Sequence, residues 1–251
     1  MSLKKLPYAP LQEVIFEGKW ELSLDSQTKA FIDPELQFAL GKFKQSISKA
    51  FPVYKSKFPP DIPQQLLNHQ PIHQFWKGES VWPVLQLGPG IVTVNDTAKN
   101  YEWENVFFPM VKENLGNVRK AYDNELNFIL YTLRYIDVVN IKDYTFNNWQ
   151  EFVMENINFQ FNNGFVTPGT LNNFRFDQAF EIPDVGLLEI SLSNGQNNKK
   201  EDIFVWQTAV SGRNSINCDG LIEWLVSAHE NCSGIFKEIC KDKFYGSFIN
   251  R

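Results

Sequence analysis

From Val14 to Leu22 the chain alternates without a break. Val14, Phe16, Gly18, Trp20 and Leu22 share one face of an extended strand, and Glu17, Lys19 and Glu21 point the other way. Strict period-two alternation requires a sheet with one face on a core and one in water. It argues against a parallel sheet buried on both faces and for an antiparallel one. The apolar face then needs a cover, and several helical stretches are available to supply it.

The first helix follows Asp33 and Pro34, which fit a cap and a first helical position. Leu36, Leu40, Phe43, Ile47 and Ala50 continue it at helical spacing, and Pro52 ends it. Residues 53–71 hold Pro59-Pro60 and Pro63 and read as an exposed irregular connection. Strands are predicted near 73–82 and 84–95, with Gly88-Pro89-Gly90 as a hairpin turn or bend and Pro83 marking an edge or a bulge. A helix over about 103–122 carries Pro109 in its first turns or is kinked by it. The pattern then restarts. A strand spans 128–141, a short helix capped by Asn147 or Asn148 spans 146–157, and strands lie near 171–182, 186–193 and 202–211. The last helix runs from Asp219 to about Phe244, its stripe being Leu221, Leu225, Ala228, Cys232, Ile235 and Ile239.

The element order β-α-β-β-α followed by β-α-β-β-β-α predicts an α+β fold. Two similar halves, 1–125 and 126–251, would share one largely antiparallel sheet with the helices packed on one face. They would form one compact unit, a repeat of architecture rather than of sequence. With 251 residues, 43% of them hydrophobic, the chain can build a large core without staples.

Composition excludes several function classes. The net charge of −5 argues against a general nucleic-acid binder, while leaving room for a local basic patch. No apolar run reaches the roughly 18 residues that cross a bilayer. Lys4-Lys5 is not followed by the apolar stretch of a signal peptide. Three cysteines, Cys218, Cys232 and Cys240, have no framework spacing and read as reduced thiols of a cytoplasmic protein.

No constellation at a catalytic spacing emerges. There is no Gly-x-Ser-x-Gly elbow and no phosphate-cradling Gly-x-x-x-x-Gly-Lys-Ser/Thr. His69 and His73 are separated by Pro71 and read as loop histidines. His229 borders the apolar stripe of the last helix and reads as a half-buried anchor or as a ligand or acid/base residue. Cys232 and Cys240 read as packed thiols. No metal site and no cofactor are expected, because no second ligand pair accompanies His229 and Cys232. Glu17, Glu21, Asp177, Glu181 and Glu189 are expected to form cross-strand ion pairs with Lys19, Arg175 and Arg134 on the wet face. Arg134 and Asp137 lie inside the most apolar strand, each a buried polar anchor or the base of a site. Lys42, Lys44, Lys49, Lys55 and Lys57 form an acid-free stripe, a solvated face or a contact for an acidic partner.

Several segments carry a resemblance. They are Gln74-Phe75-Trp76, Gln86-Leu87-Gly88-Pro89, Val94-Asn95 with Trp103, Leu133-Arg134-Tyr135-Ile136, and Trp224-Leu225 with Ala228-His229. In this order and spacing the chain resembles, over nearly its whole length, a sporadically distributed prokaryotic family of uncharacterised function. Asp137 departs from that pattern, where Asn is expected, and the charge around Phe75-Trp76 is reduced. The resemblance implies a cytoplasmic prokaryotic protein of an accessory, defence or toxin–antitoxin-like system, and it supplies no catalytic residues.

The leading expectation is therefore a non-enzymatic interaction protein with a protein partner, its lysine stripe included. One alternative is a small-molecule sensor with an aromatic cleft between the halves, using Trp20, Trp76, Trp82, Trp206, Phe174 and Phe176 together with His229 and Arg134. The other is an enzyme that uses His229 with a sheet carboxylate or Arg134.

Overall fold

A computed structural model gives the fold and describes residues 5–59, 61–99, 101–146, 148–160, 168–169 and 171–250. Strand β1 (Leu11–Trp20) carries the alternation, starting before Val14 and stopping short of Leu22. A short hairpin, β2 (Ser23–Leu24) and β3 (Phe31–Ile32), precedes helix α1 (Leu36–Ile47). Strands β4 (Val53–Ser56), β5 (His73–Gly78), β6 (Val81–Gly88) and β7 (Ile91–Asp96) follow. A π-helical turn, Trp103–Phe107, leads into α2 (Phe108–Ala121). Then come β8 (Phe128–Asn140), α3 (Trp149–Asn156), β9 (Arg175–Ile182), β10 (Gly186–Gln196), β11 (Asp202–Gly212), α4 (Cys218–Ile239) and α5 (Asp242–Ser247).

Nine strands form one antiparallel sheet in the order β4-β5-β6-β7-β1-β8-β11-β10-β9. The α+β class read from the element order holds. At the centre β1 pairs with β8, and outward from that pair each side runs through its last strand back towards its earlier ones.

Register explains the layering. One row crosses the sheet through Tyr54, Phe75, Leu85, Val94, Phe16, Leu133, Val210, Leu188 and Phe180. Its seven inner members are buried, and its two ends, Tyr54 and Phe180, are exposed. Helices cover this face. Phe43 of α1 packs edge-on against Phe75, Phe152 of α3 lies against Phe204, and Trp224 of α4 lies against Tyr131. Shifted by one residue, a second row reads Lys55, Gln74, Gln86, Thr93, Glu17, Thr132, Ser211, Leu187 and Glu181. It belongs to the face that the helices leave open.

The structure corrects several local expectations. Asp33 does not cap α1, whose cap position is Glu35. Its carboxylate instead accepts from the Gly90 N–H and the Tyr122 hydroxyl, tying the helix entry to the β6–β7 turn and the end of α2. The stretch 53–71 is not wholly irregular: β4 pairs with β5 as an edge strand, and Gln64–Leu67 forms a 3-10 turn. Pro60 and Asn147 lie outside the described residues, and Asn148 caps α3 by accepting from the Glu151 N–H. The two strands expected over 73–95 are three. Gly88-Pro89-Gly90 closes the β6–β7 hairpin, where a Cβ on Gly88 would meet the Gln70 carbonyl oxygen at 1.9 Å and Gly90 holds a φ of +69°. Pro83 sits in an interior strand, beside the β5–β6 register irregularity between Trp76 and Gly78. The last helix breaks at Cys240, whose extended backbone bridges to Ile157. Among the described residues no helix is long and apolar enough to cross a membrane.

Candidate functional site

Between the sheet and its helices, beside the β1–β8 centre, lies a cavity of about 310 Å³. The sheet supplies its floor. Tyr135 and Asp137 are alternate residues of β8 and so point the same way, and Thr208 of β11 stands opposite Tyr135. Helix α4 supplies one wall. His229, Cys232, Ser233, Phe236 and Lys237 recur at helical spacing and form one of its faces. That face is set by the cap of α4, where the Asn217 side chain accepts from the Gly220 N–H, and by Leu221, Leu225 and Ala228 buried next to it. Tyr101, Trp103 and Glu104 approach from the stretch leading into α2, and Tyr245 from α5. The segment through Lys5, Leu6 and Ala9 runs along the remaining side. It is pinned there because the Tyr8 N–H donates to the Phe248 carbonyl at 3.0 Å.

A chain of polar contacts runs along one side. The Tyr101 and Tyr135 hydroxyls are 2.9 Å apart, and the Tyr135 hydroxyl is 2.8 Å from His229 Nδ1. The His229 ring stacks on Trp103 with centroids 3.8 Å apart and planes 10° from parallel. Burial is the main cause that pushes His229 down to about 4, with Lys237 adding to it and Glu104 opposing it. The imidazole is therefore neutral at physiological pH, and a weak base there. Burial pushes both tyrosine hydroxyls and the Cys232 thiol upward. The thiol so held has no nucleophilic character at neutral pH.

Asp137 and Thr208 contrast with this chain. Asp137 is 3% exposed and accepts no hydrogen bond from any described residue. Burial alone pushes its carboxyl up to about 8, because the charged form loses hydration and gains no donor among the described residues. Thr208 is also buried, and its Oγ1 has no partner among the described residues. Buried polar groups are nearly always hydrogen-bonded in native proteins. These two groups facing one space of this size single it out as the candidate site.

The structure brings His229 and Asp137 to the cavity and distributes the other anticipated site residues elsewhere. Arg134 lies on the open face of the sheet, its Cα paired with Ile15 and Ala209, and its Nε is buried without a partner. Trp20 packs between Tyr122 and Phe128, and Trp206 packs among Phe204, Phe236 and Phe244. Trp76 and Trp82 pack against each other. Phe174 stacks on Trp149, and Phe176 contacts Phe159. Of the lysine stripe, Lys42 pairs with Asp123 at 2.6 Å and Lys55 with Glu79 at 2.8 Å, while Lys44 sits over the Tyr54 ring. Lys49 and Lys57 are exposed. The ion pairs Glu17–Lys19 and Arg175–Asp177 run along single strands rather than across them, since residues two apart share a face.

His69 Nε2 lies 3.1 Å from the Trp20 carbonyl oxygen, and His73 Nδ1 lies 2.9 Å from the Tyr54 hydroxyl. Among the described residues no group of three or more His, Cys, Asp or Glu is arranged to hold a metal ion. A second depression, about 360 Å³, lies at the β9–β10 turn around Pro183, Asp184 and Arg213. No buried polar atom without a partner lines it.

The residues that sequence reasoning missed are Tyr101 and Thr208, while Tyr135 and Trp103 were named only within the segments that carry the resemblance, without a site role. The available signal was Asp137, a charge inside an apolar strand, together with its same-face neighbour Tyr135. No protein-family model, curated protein or solved structure matches this chain.

Proposed function

We propose that the protein binds a small organic molecule in the cavity between β8, β11 and α4. One observation carries the reading: Asp137, buried and accepting no hydrogen bond from a described residue, and Thr208, whose buried Oγ1 has no partner among the described residues, face a space of about 310 Å³. That volume is at the small end of ligand pockets, which are largely apolar with a few placed polar groups. The cavity takes residues from both 1–125 and 126–251, and the shared strand order on the two sides of β1–β8 supports treating these as similar halves. The test is a thermal-shift screen of small organic molecules against the protein and against Ser233→Trp, which fills the cavity from α4. Ligands should raise the melting temperature of the parent protein and leave the filled variant unmoved. A screen without any such difference removes the reading.

A protein partner is a second reading with its own support. Leu24 and Phe31 face each other across the β2–β3 hairpin and are both exposed, as is Leu66 on the adjoining 3-10 turn. Co-purification from the native host, with Phe31→Asp as the control, tests it. A prokaryotic, cytoplasmic and defence-linked setting remains part of this proposal on the sequence resemblance, and three free, buried cysteines accord with a reducing compartment.

A further inference from the structure

Resting on the small-molecule reading, we infer that the ligand is an organic amine, bound as its cation with the ammonium group against Asp137. An ionised carboxylate only accepts hydrogen bonds. Asp137 has two oxygens and no donor among the described residues, so the partner its ionised form requires is a donor. Lys5 and Lys237 line the same cavity, yet neither forms an ion pair with Asp137. No described cation of the protein is therefore placed against this carboxyl.

The walls favour a cation over a neutral donor. Tyr101, Trp103, Tyr135, Phe236 and Tyr245 face the space, and aromatic faces attract cations. A charge-assisted hydrogen bond from an ammonium is roughly twice as strong as one between neutral groups. The buried, unpaired Thr208 hydroxyl, near Asp137 on the adjacent strand, can accept a further ammonium proton.

Titration turns the class of ligand into a measurement. Tyr101, Tyr135, Cys232 and Cys240 surround Asp137, and all are pushed upward by burial, Cys240 to about 12. His229 stays neutral above about pH 5, and Lys5, Glu104 and Lys237 complete the charged groups that face the cavity. Across about pH 6–8 the charge that changes deep inside is therefore that of Asp137, whose carboxyl loses its proton near 8 in the empty site. A cation selects the ionised form. Its apparent affinity should rise roughly tenfold from pH 6 to pH 7 and level off above about pH 8. One proton should leave the protein for each amine bound near pH 6.5.

The experiment is calorimetric titration of the 251-residue protein with benzylamine, phenethylamine and tryptamine. Benzyl alcohol and phenylacetate are the neutral and anionic counterparts, and two buffers of different ionisation enthalpy count the protons. The amines should bind at least tenfold more tightly than either counterpart, with the stated pH slope. Asp137→Asn should erase the slope and the preference. The slope in the unmodified protein stands as evidence independently of that variant. Equal or tighter binding of the alcohol or the acid, or an affinity that falls as pH rises, overturns the amine assignment and leaves the cavity reading standing. If no compound of any class binds, and Ser233→Trp behaves as the parent does, both are overturned.

Discussion

The two faces of the nine-stranded sheet share one backbone and one register, yet they treat buried polar groups in opposite ways. On the open face a ladder of side chains satisfies itself. Gln74 donates to Gln86 at 2.9 Å, Gln86 donates to Thr93 at 2.8 Å, Thr93 donates to Asn95 at 3.0 Å, and Asn95 donates to Glu13 at 2.8 Å. Thr132 and Ser211 pair in the same way across β8 and β11. What remains open there is single N–H groups, Trp76 Nε1 and Arg134 Nε. On the helix-covered face almost everything is apolar, and among the described residues Thr208 Oγ1, Trp206 Nε1 and Asp96 Oδ2 are buried without partners, while Asp137 accepts no hydrogen bond. A satisfied network rigidifies and specifies the fold, whereas an unsatisfied one is costly unless another molecule completes it. The comparison separates polar residues that complete one another from polar residues left open towards a cavity.

Four substitutions test that separation, from the largest expected effect to the smallest. Phe16→Ala removes the central member of the apolar row and should cost roughly 3–5 kcal/mol, read as a lower urea midpoint. A loss under about 1 kcal/mol would mean that the row is not the core.

Asp137→Asn should act in the opposite direction. The carboxyl ionises near 8 in the folded protein and near 3.9 in an unfolded chain. The stability of its neutral form is complete below about pH 4 and drains away as pH rises towards 8. Asparagine cannot ionise, so the variant should be more stable by about 2–4 kcal/mol at pH 7.5, with the gain shrinking towards pH 5. Urea denaturation at the two pH values reads this directly, and a destabilised variant at pH 7.5 would place a hidden donor on Asp137.

Gln86→Ala strips partners from Gln74, Thr93 and Asn95 together and should cost roughly 1–3 kcal/mol. If it proves neutral by denaturation, water completes the ladder and the open face is less closed than its contacts indicate. Lys42→Ala breaks an exposed pair with Asp123 and should change stability by less than about 1 kcal/mol. A larger loss would restore structural weight to the lysine stripe.

Legibility followed the same divide. Strand β1 and helix α4 were readable because each marks both of its faces with one period over many residues. Strand β4 was not, since four residues between Pro52 and Pro59 become a strand through pairing with β5, a tertiary effect. The cavity was legible at two points. Asp137 stood out as a charge among apolar neighbours, and His229 stood at the rim of a stripe. Tyr101, Tyr135 and Thr208 carry no local signal in a chain with 8 tyrosines and 22 phenylalanines. They matter through register and helix packing, which bring residues about 100 positions apart into one space. The expected aromatic cleft named tryptophans by their size, whereas packing placed Trp20 and Trp206 in the core.

The bond from the Tyr8 N–H to the Phe248 carbonyl ties together two segments 240 residues apart in sequence. One side of the cavity, the Lys5–Ala9 stretch, is thus held by the residues that follow α5, so loosening α5 would slacken that wall without altering a sheet residue.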